Sequence, residues 1–142
     1  MNSQHIVSSF DTDLEGLQAR LMKMGGQVET ALGNAIKALE TRDLELSQQV
    51  RTGDKAIDAM DEDIRAETAR VLALRAPAAS DLRTVLSVMT ISTHLERCGD
   101  YAKNIAKRTT VLVEASPIEG TVPALRRMVR MVEVMLADAL DA

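Results

Sequence analysis

The chain has 142 residues, 46% of them hydrophobic, with one Tyr, one Phe and no Trp. It is long enough for one domain whose core is Leu, Val, Ile, Met and Ala, a mixture that favours packed helices over a sandwich or barrel. A formal charge of −4 gives nucleic acid no basic face, and the single cysteine, Cys98, rules out an internal disulfide or a multi-cysteine metal site.

A first helix is expected from about Phe10 to Glu40. Its apolar residues Leu14, Leu17, Leu21, Met24, Val28, Ala31 and Ala35 alternate steps of three and four, the seam of a bundle helix. Gly25 and Gly26 lower helix propensity by ~1 kcal/mol each and are read as a thin spot for close helix approach. Thr41-Arg42-Asp43 reads as a turn. A second helix follows over Leu44–Arg75, with Val50, Ile57, Ile64 and Val71 seven apart and Met60 and Leu74 accompanying them. Asp54, Asp58 and Asp61 fall at i, i+4 and i+7 and are expected to line a face beside that seam.

Ala76-Pro77 breaks the helix, because proline lacks an N–H and pushes its predecessor out of the α region. Ser80 or Asp81 then offers a side-chain cap to a third helix, expected from about Asp81 to Val113. Its stripe is Val88, Ile91, Leu95, Cys98, Ala102, Ile105 and Leu112, with Glu96 and Asp100 flanking it. Cys98 reads as a buried small hydrophobe, and His94 as a surface or packing residue, since Ile91 occupies the position a Glu-x-x-His ligand pair would need.

Glu114–Pro123, with two prolines and a glycine, reads as a linker. The last stretch repeats the first helix. Leu125, Met128, Val132, Glu133, Leu136, Ala139 and Ala142 match Leu21, Met24, Val28, Glu29, Leu32, Ala35 and Ala38 at a constant offset of 104, although amphipathic helices also share apolar positions cheaply. On the repeat reading, residues 7–115 form one three-helix unit, 116–123 a linker, and 124–142 the truncated start of a second unit. The apolar side of Leu125–Leu140 would then lack bundle partners, and the chain is expected to self-associate, as a homodimer, or to exchange that helix. The N-terminus lacks the basic and apolar regions of a signal peptide, and no apolar run approaches the ~20 residues of a membrane span, which points to a cytoplasmic protein without membrane insertion.

If the second and third helices fold back around Ala78, Asp58 comes level with position 98, between Glu96 and Asp100. Asp54, Asp58, Asp61, Glu96 and Asp100 would then share one level. Each like-charge pair at ~4 Å costs on the order of 1 kcal/mol in water and about four times that near a protein surface. Compensation comes from Lys55, Arg97 and Lys103 or from a multivalent cation. Oxygen-only ligands suit hard cations, and carboxylates on facing helices also hold iron or manganese. From spacing alone, a solvated and salt-bridged face is the simpler account. No nucleophile–base pair or glycine-rich phosphate loop is visible, so an enzyme is not expected.

Asp54-x-x-Ile57-Asp58-x-x-Asp61, then Ala76-Pro77-Ala78-Ala79-Ser80-Asp81-Leu82-Arg83, then Leu95-Glu96-Arg97-Cys98-Gly99-Asp100 and Asn104-Ile105-Ala106 resemble the PhoU family of phosphate-transport accessory proteins. Cys98 departs from the family pattern, where an aliphatic residue is usual. The resemblance implies an all-α fold: a three-helix bundle of long antiparallel helices plus the first helix of a truncated second unit. It implies a cytoplasmic, non-enzymatic negative regulator linking the ATPase subunit of the phosphate ABC transporter to a sensor histidine kinase. It also implies a multinuclear iron or zinc site on Asp54–Asp58 and Glu96–Asp100, although not every member carries metal; magnesium or manganese would suit the same oxygens. The alternative from another class is a carboxylate-bridged iron or manganese protein with a redox or storage role. Asp81, Arg83, Arg97 and Asn104 are the family-motif positions expected to serve structure or partner docking. Asp81 and Arg83 also read as a helix cap and a first-turn ion pair, or Arg83 as a tie to the acidic face.

Overall fold

The computed structural model describes residues 2–142, with the side chains of residues 2, 3 and 5–7 outside the description. Four helices follow one another: α1 (Asn2–Thr41), α2 (Leu44–Arg75), α3 (Ala79–Leu112) and α4 (Thr121–Asp141). The first three pack mutually, and α4 packs on α1. No helix among the described residues is long and apolar enough to cross a membrane.

The seams are heptad rows. On α1, Leu17, Leu21, Met24, Val28 and Ala35 are buried, as the three-four spacing requires. On α2 the buried residues are Ser47, Val50, Asp54, Ile57, Asp61, Ile64, Thr68 and Val71. One row is aliphatic, and the other, at seven-residue steps, is wholly polar. On α3 the buried set is Val85, Val88, Ser92, Leu95, Gly99, Ala102, Ala106 and Thr109. Small residues on α3 therefore meet the polar row of α2, and the helices can pack closely around hydrogen bonds. Ser47 Oγ, for example, donates to the Ala106 carbonyl at 2.5 Å.

Three stripe expectations need correction. Leu74, Ile91 and Leu112 are 63, 40 and 42% exposed; the buried row of α2 ends at Val71, and the α3 seam runs through Ser92, Gly99 and Thr109, small or polar residues that an apolar count passes over. α1 also begins well before Phe10, at Asn2.

The turns follow local chemistry. Asp43 caps α2 by accepting from the Leu46 N–H at 3.0 Å, and Arg42 reaches the Val113 carbonyl at 3.1 Å, tying this corner to the end of α3. Ala76 (φ 42°) and Ala79 (φ 37°) bracket Pro77 in the left-handed region. Neither Ser80 nor Asp81 caps α3. The cap residue is Ala78, without a side-chain bond, because the helix starts earlier than the hydroxyl and carboxylate positions assumed. Asp81 lies in the first turn instead, where its charge complements the helix dipole. Val122 and Pro123, expected in the linker, lie in the first turn of α4, where proline's missing N–H has no intrahelical acceptor to lose.

α1 and α4 run antiparallel. The Arg126–Glu40 ion pair lies at one end, Glu133 sits against Gly33 in the middle, and Leu140 fills the notch left by Gly25 at the other. The expected close approach therefore occurs at Gly25, where a methyl would collide with Leu140. Gly26 is open to solvent, with nothing near its absent Cβ.

Candidate metal centre

Fold-back at Pro77 brings the acids of α2 and α3 to one level. Asp54, Asp58 and Asp100 each present an oxygen, all within 4.8 Å of one another. Glu96 joins them, close enough to Asp100 and Asp58 to share a proton. Burial first, then the hydrogen bond and charge of Asp100, then Asp58, push the Glu96 carboxyl up to about 7.

Asp54 is the centre of the group. It is 3% exposed, and neither of its oxygens accepts a hydrogen bond. Burial, then the neighbouring Asp58, raise its pKa, and Lys103 partly offsets them. Lys103 Nζ stands 3.5 Å from Asp54 Oδ2, an ion pair outside hydrogen-bonding geometry. Of the three cations considered for compensation, Lys103 alone fills the role. Lys55 and Arg97 are exposed and form no ion pair among the described residues.

Gly99 makes this approach possible. A Cβ there would lie 3.2 Å from Ile57 Cγ2, 3.3 Å from Ile57 Cδ1 and 3.4 Å from Asp54 Oδ1. The glycine of Glu96-Arg97-Cys98-Gly99-Asp100 thus lets Asp54 sit under α3 between two acids of that helix. Its role was missed in the sequence, although its position one residue before Asp100, within the seam, is the signal that could have exposed it.

Asp61 does not belong to the cluster. Its Oδ1 accepts from Ser92 Oγ at 2.7 Å and its Oδ2 from Arg65 Nε at 3.0 Å, so both oxygens are taken one heptad away from the orphaned pair. Asp54 and Asp61 also lie in the seam rather than beside it, as both are buried members of the polar row.

Asp81, Arg83, Arg97 and Asn104 are exposed, and their side chains make no hydrogen bond or ion pair among the described residues. Arg83 does not tie to the acidic group; thirteen residues separate it from Glu96, roughly 20 Å of helix. His94 is exposed and, with Cys98, lines an apolar groove between α1, α3 and the end of α4. Burial raises the Cys98 thiol, keeping it protonated at neutral pH and a poor nucleophile.

Four carboxylates facing one lysine, with an aspartate whose two buried oxygens lack hydrogen bonds, fit a multivalent cation. Buried charge without such pairing is costly, and the all-oxygen donor set accepts hard and borderline cations.

Comparison with known proteins places the chain in a family. A family model described as the PhoU domain matches residues 21–109. The chain is 40% identical over 140 residues to the phosphate-specific transport system accessory protein PhoU homolog of Caulobacter vibrioides, covering 99% of this chain and 61% of that protein. It is 36% identical over 140 residues to the phosphate-specific transport system accessory protein PhoU of Escherichia coli, covering 99% and 58%. The fold superposes on the crystal structure of PhoU from Pseudomonas aeruginosa with a TM-score of 0.88 and 39% identity, over 94% of this chain and 64% of that one. The phosphate transport system regulatory protein PhoU from Streptococcus pneumoniae gives a TM-score of 0.86 and 35% identity, over 94% and 62%. The chain thus spans only about three fifths of these curated relatives.

Proposed function

This chain belongs to the PhoU family, and from that premise we propose that it is a cytoplasmic, non-enzymatic adaptor that restrains phosphate uptake and phosphate-starvation signalling. Its partners in this role are the ATPase subunit of a phosphate ABC transporter and a sensor histidine kinase. The relatives' description as transport-system accessory proteins supports the reading. Binding of partners, rather than turnover, is the activity.

The acidic cluster gives the adaptor a metal centre. Asp54, Asp58 and Asp100 hold the cation, with Glu96 at the edge, and iron or zinc is the expected occupant. When bound, the cation supplies the positive charge that four carboxylates and one lysine lack. The protein's own part is positional. Gly99 lets α3 come down on Asp54, Ile57 closes the apolar side, and Lys103 holds part of the charge balance. The observation that carries the metal centre is the Asp54 carboxylate, buried with both oxygens free of hydrogen bonds.

Pull-down against the transporter ATPase and the kinase, with and without chelator, tests the function. Retention of both partners supports the adaptor, and loss on chelation makes the metal centre part of docking. Failure to retain either partner, with the metal bound, would overturn the reading. Repeated oxidation of Fe²⁺ by O₂ would instead favour a redox protein.

A further inference from the structure

One cation already stands in the acidic group. Lys103 Nζ lies 3.5 Å from Asp54 Oδ2, and among the described residues no other cation forms an ion pair with Asp54, Asp58, Glu96 or Asp100. Its place on α3 explains the reach. Lys103 follows Asp100 by three residues and Gly99 by four, so the three share a face of the helix. A helical side chain leans back towards the N-terminus over the preceding turn. For Lys103 that turn holds Gly99, whose missing side chain leaves a lane down to Asp54; a Cβ there would already lie 3.4 Å from Asp54 Oδ1.

The hold is reversible. Asp54 accepts no hydrogen bond, so charge alone keeps Lys103 in place. The lysine side chain is 35% exposed, against 2% for Asp54. An ammonium is a compact, strongly hydrated charge on a flexible stem, and it can turn out to water while the stem stays on the helix. A divalent ion taking Asp54 Oδ2 would repel that ammonium about twice as strongly as one carboxylate attracts it at the same distance.

On the metal-centre reading, from which this follows, we propose that Lys103 is the resident counter-ion of the metal-free site and leaves it when the metal enters. Loading is an exchange, with the ammonium moving out as the metal moves in. Lys103 holds the charge balance only while the metal is away. The lysine thereby lowers the affinity of the site and carries a positive charge to the surface of α3 as the site fills.

Zinc titration calorimetry of the full chain, stripped with chelator, tests the exchange. Lys103→Met and Lys103→Gln should each bind Zn²⁺ about tenfold more tightly than wild type, whereas Lys103→Arg, which keeps the charge, should not. In metal-free urea unfolding, Lys103→Met should lower the folding constant of wild type about tenfold and that of Asp54→Asn much less. Acetylation of the wild type by a succinimidyl ester, read by peptide mass spectrometry, follows the ammonium itself. Zn²⁺ should speed modification of Lys103 several-fold and leave Lys23 and Lys37, exposed on α1, unchanged. Equal zinc affinity in wild type and both uncharged variants would overturn the exchange and leave the metal centre standing. So would acetylation of Lys103 that zinc does not alter. Zinc bound by the uncharged variants alone would support the exchange and withdraw the metal centre from the wild type. No binding of Zn²⁺, or of Fe²⁺ under argon, by any of these chains would overturn both.

Discussion

Asp54 and Asp61 occupy the same row of α2, one heptad apart, and are buried to similar degrees, at 3 and 7% exposure. Their surroundings differ completely. Asp61 has a hydroxyl on one oxygen and a guanidinium on the other, whereas Asp54 has other carboxylates and one lysine at ion-pair distance. One α2–α3 level is thus a closed polar contact that fixes helix register. The other is left short of positive charge. Burial of an acid alone does not mark a site; what the opposite helix places over it does. At Asp61 that residue is Ser92, and at Asp54 it is Gly99.

The largest expected effect separates the two aspartates. Asp61→Ala should cost about 2–3 kcal/mol in urea unfolding, because it opens a cavity and leaves the Ser92 hydroxyl only the weak acceptor Met24 Sδ, at 3.5 Å. Asp54→Ala should stay within about 1 kcal/mol of wild type in chelator, since relief of repulsion offsets the lost packing. With metal at a hundred times its dissociation constant, wild type should gain about 2.7 kcal/mol that Asp54→Ala does not.

Gly99→Ala comes next. Its methyl meets Ile57 and Asp54, and overpacking of about 1–3 kcal/mol should exceed the ~1 kcal/mol gain in helix propensity. Gly26→Ala, with nothing near its Cβ, should show the propensity gain alone. Differential scanning calorimetry of the pair separates close approach from propensity.

A pH series sharpens the contrast further. Glu96 is pushed from 4.5 to about 7 in the folded chain. Between these values the folded state binds more protons than the unfolded one, so stability falls as pH rises through that window. In chelator the melting temperature should therefore drop from pH 5 to pH 8, and Asp100→Asn, which removes the main neighbouring charge, should flatten the drop. The smallest effect falls on the Asp61 side. Arg65 is 52% exposed, and Arg65→Ala should cost below about 1 kcal/mol in urea unfolding.

Much of this was legible in the residues. Pro77 located the fold-back, and the level it set for Asp58, Glu96 and Asp100 is the one observed. The aliphatic rows of α1 and α2 announced themselves through Leu17, Val28, Ile57 and Ile64. The polar row was harder to read. Ser47, Asp54, Asp61 and Thr68 repeat at seven like any seam, but hydropathy assigns such residues to solvent. Only the opposing Ser92, Gly99 and Ala106 make room for them inside. Whether Asp61 would join the acids or leave them depended on Ser92, distant in sequence and chemically unremarkable until the helices pair. The start of α3 was misplaced for a similar reason, since Ala78 caps the helix through backbone geometry that its side chain does not signal.

The account turns on Asp54 as the seat of a cation. The most direct measurement is the metal content and metal-dependent melting of wild type, Asp54→Ala and Asp61→Asn, titrated with Fe²⁺ and Zn²⁺ after chelator treatment. Wild type and Asp61→Asn should bind and melt higher with metal, while Asp54→Ala should do neither. A wild type that binds neither ion, or an Asp54→Ala variant that binds as wild type does, would contradict it.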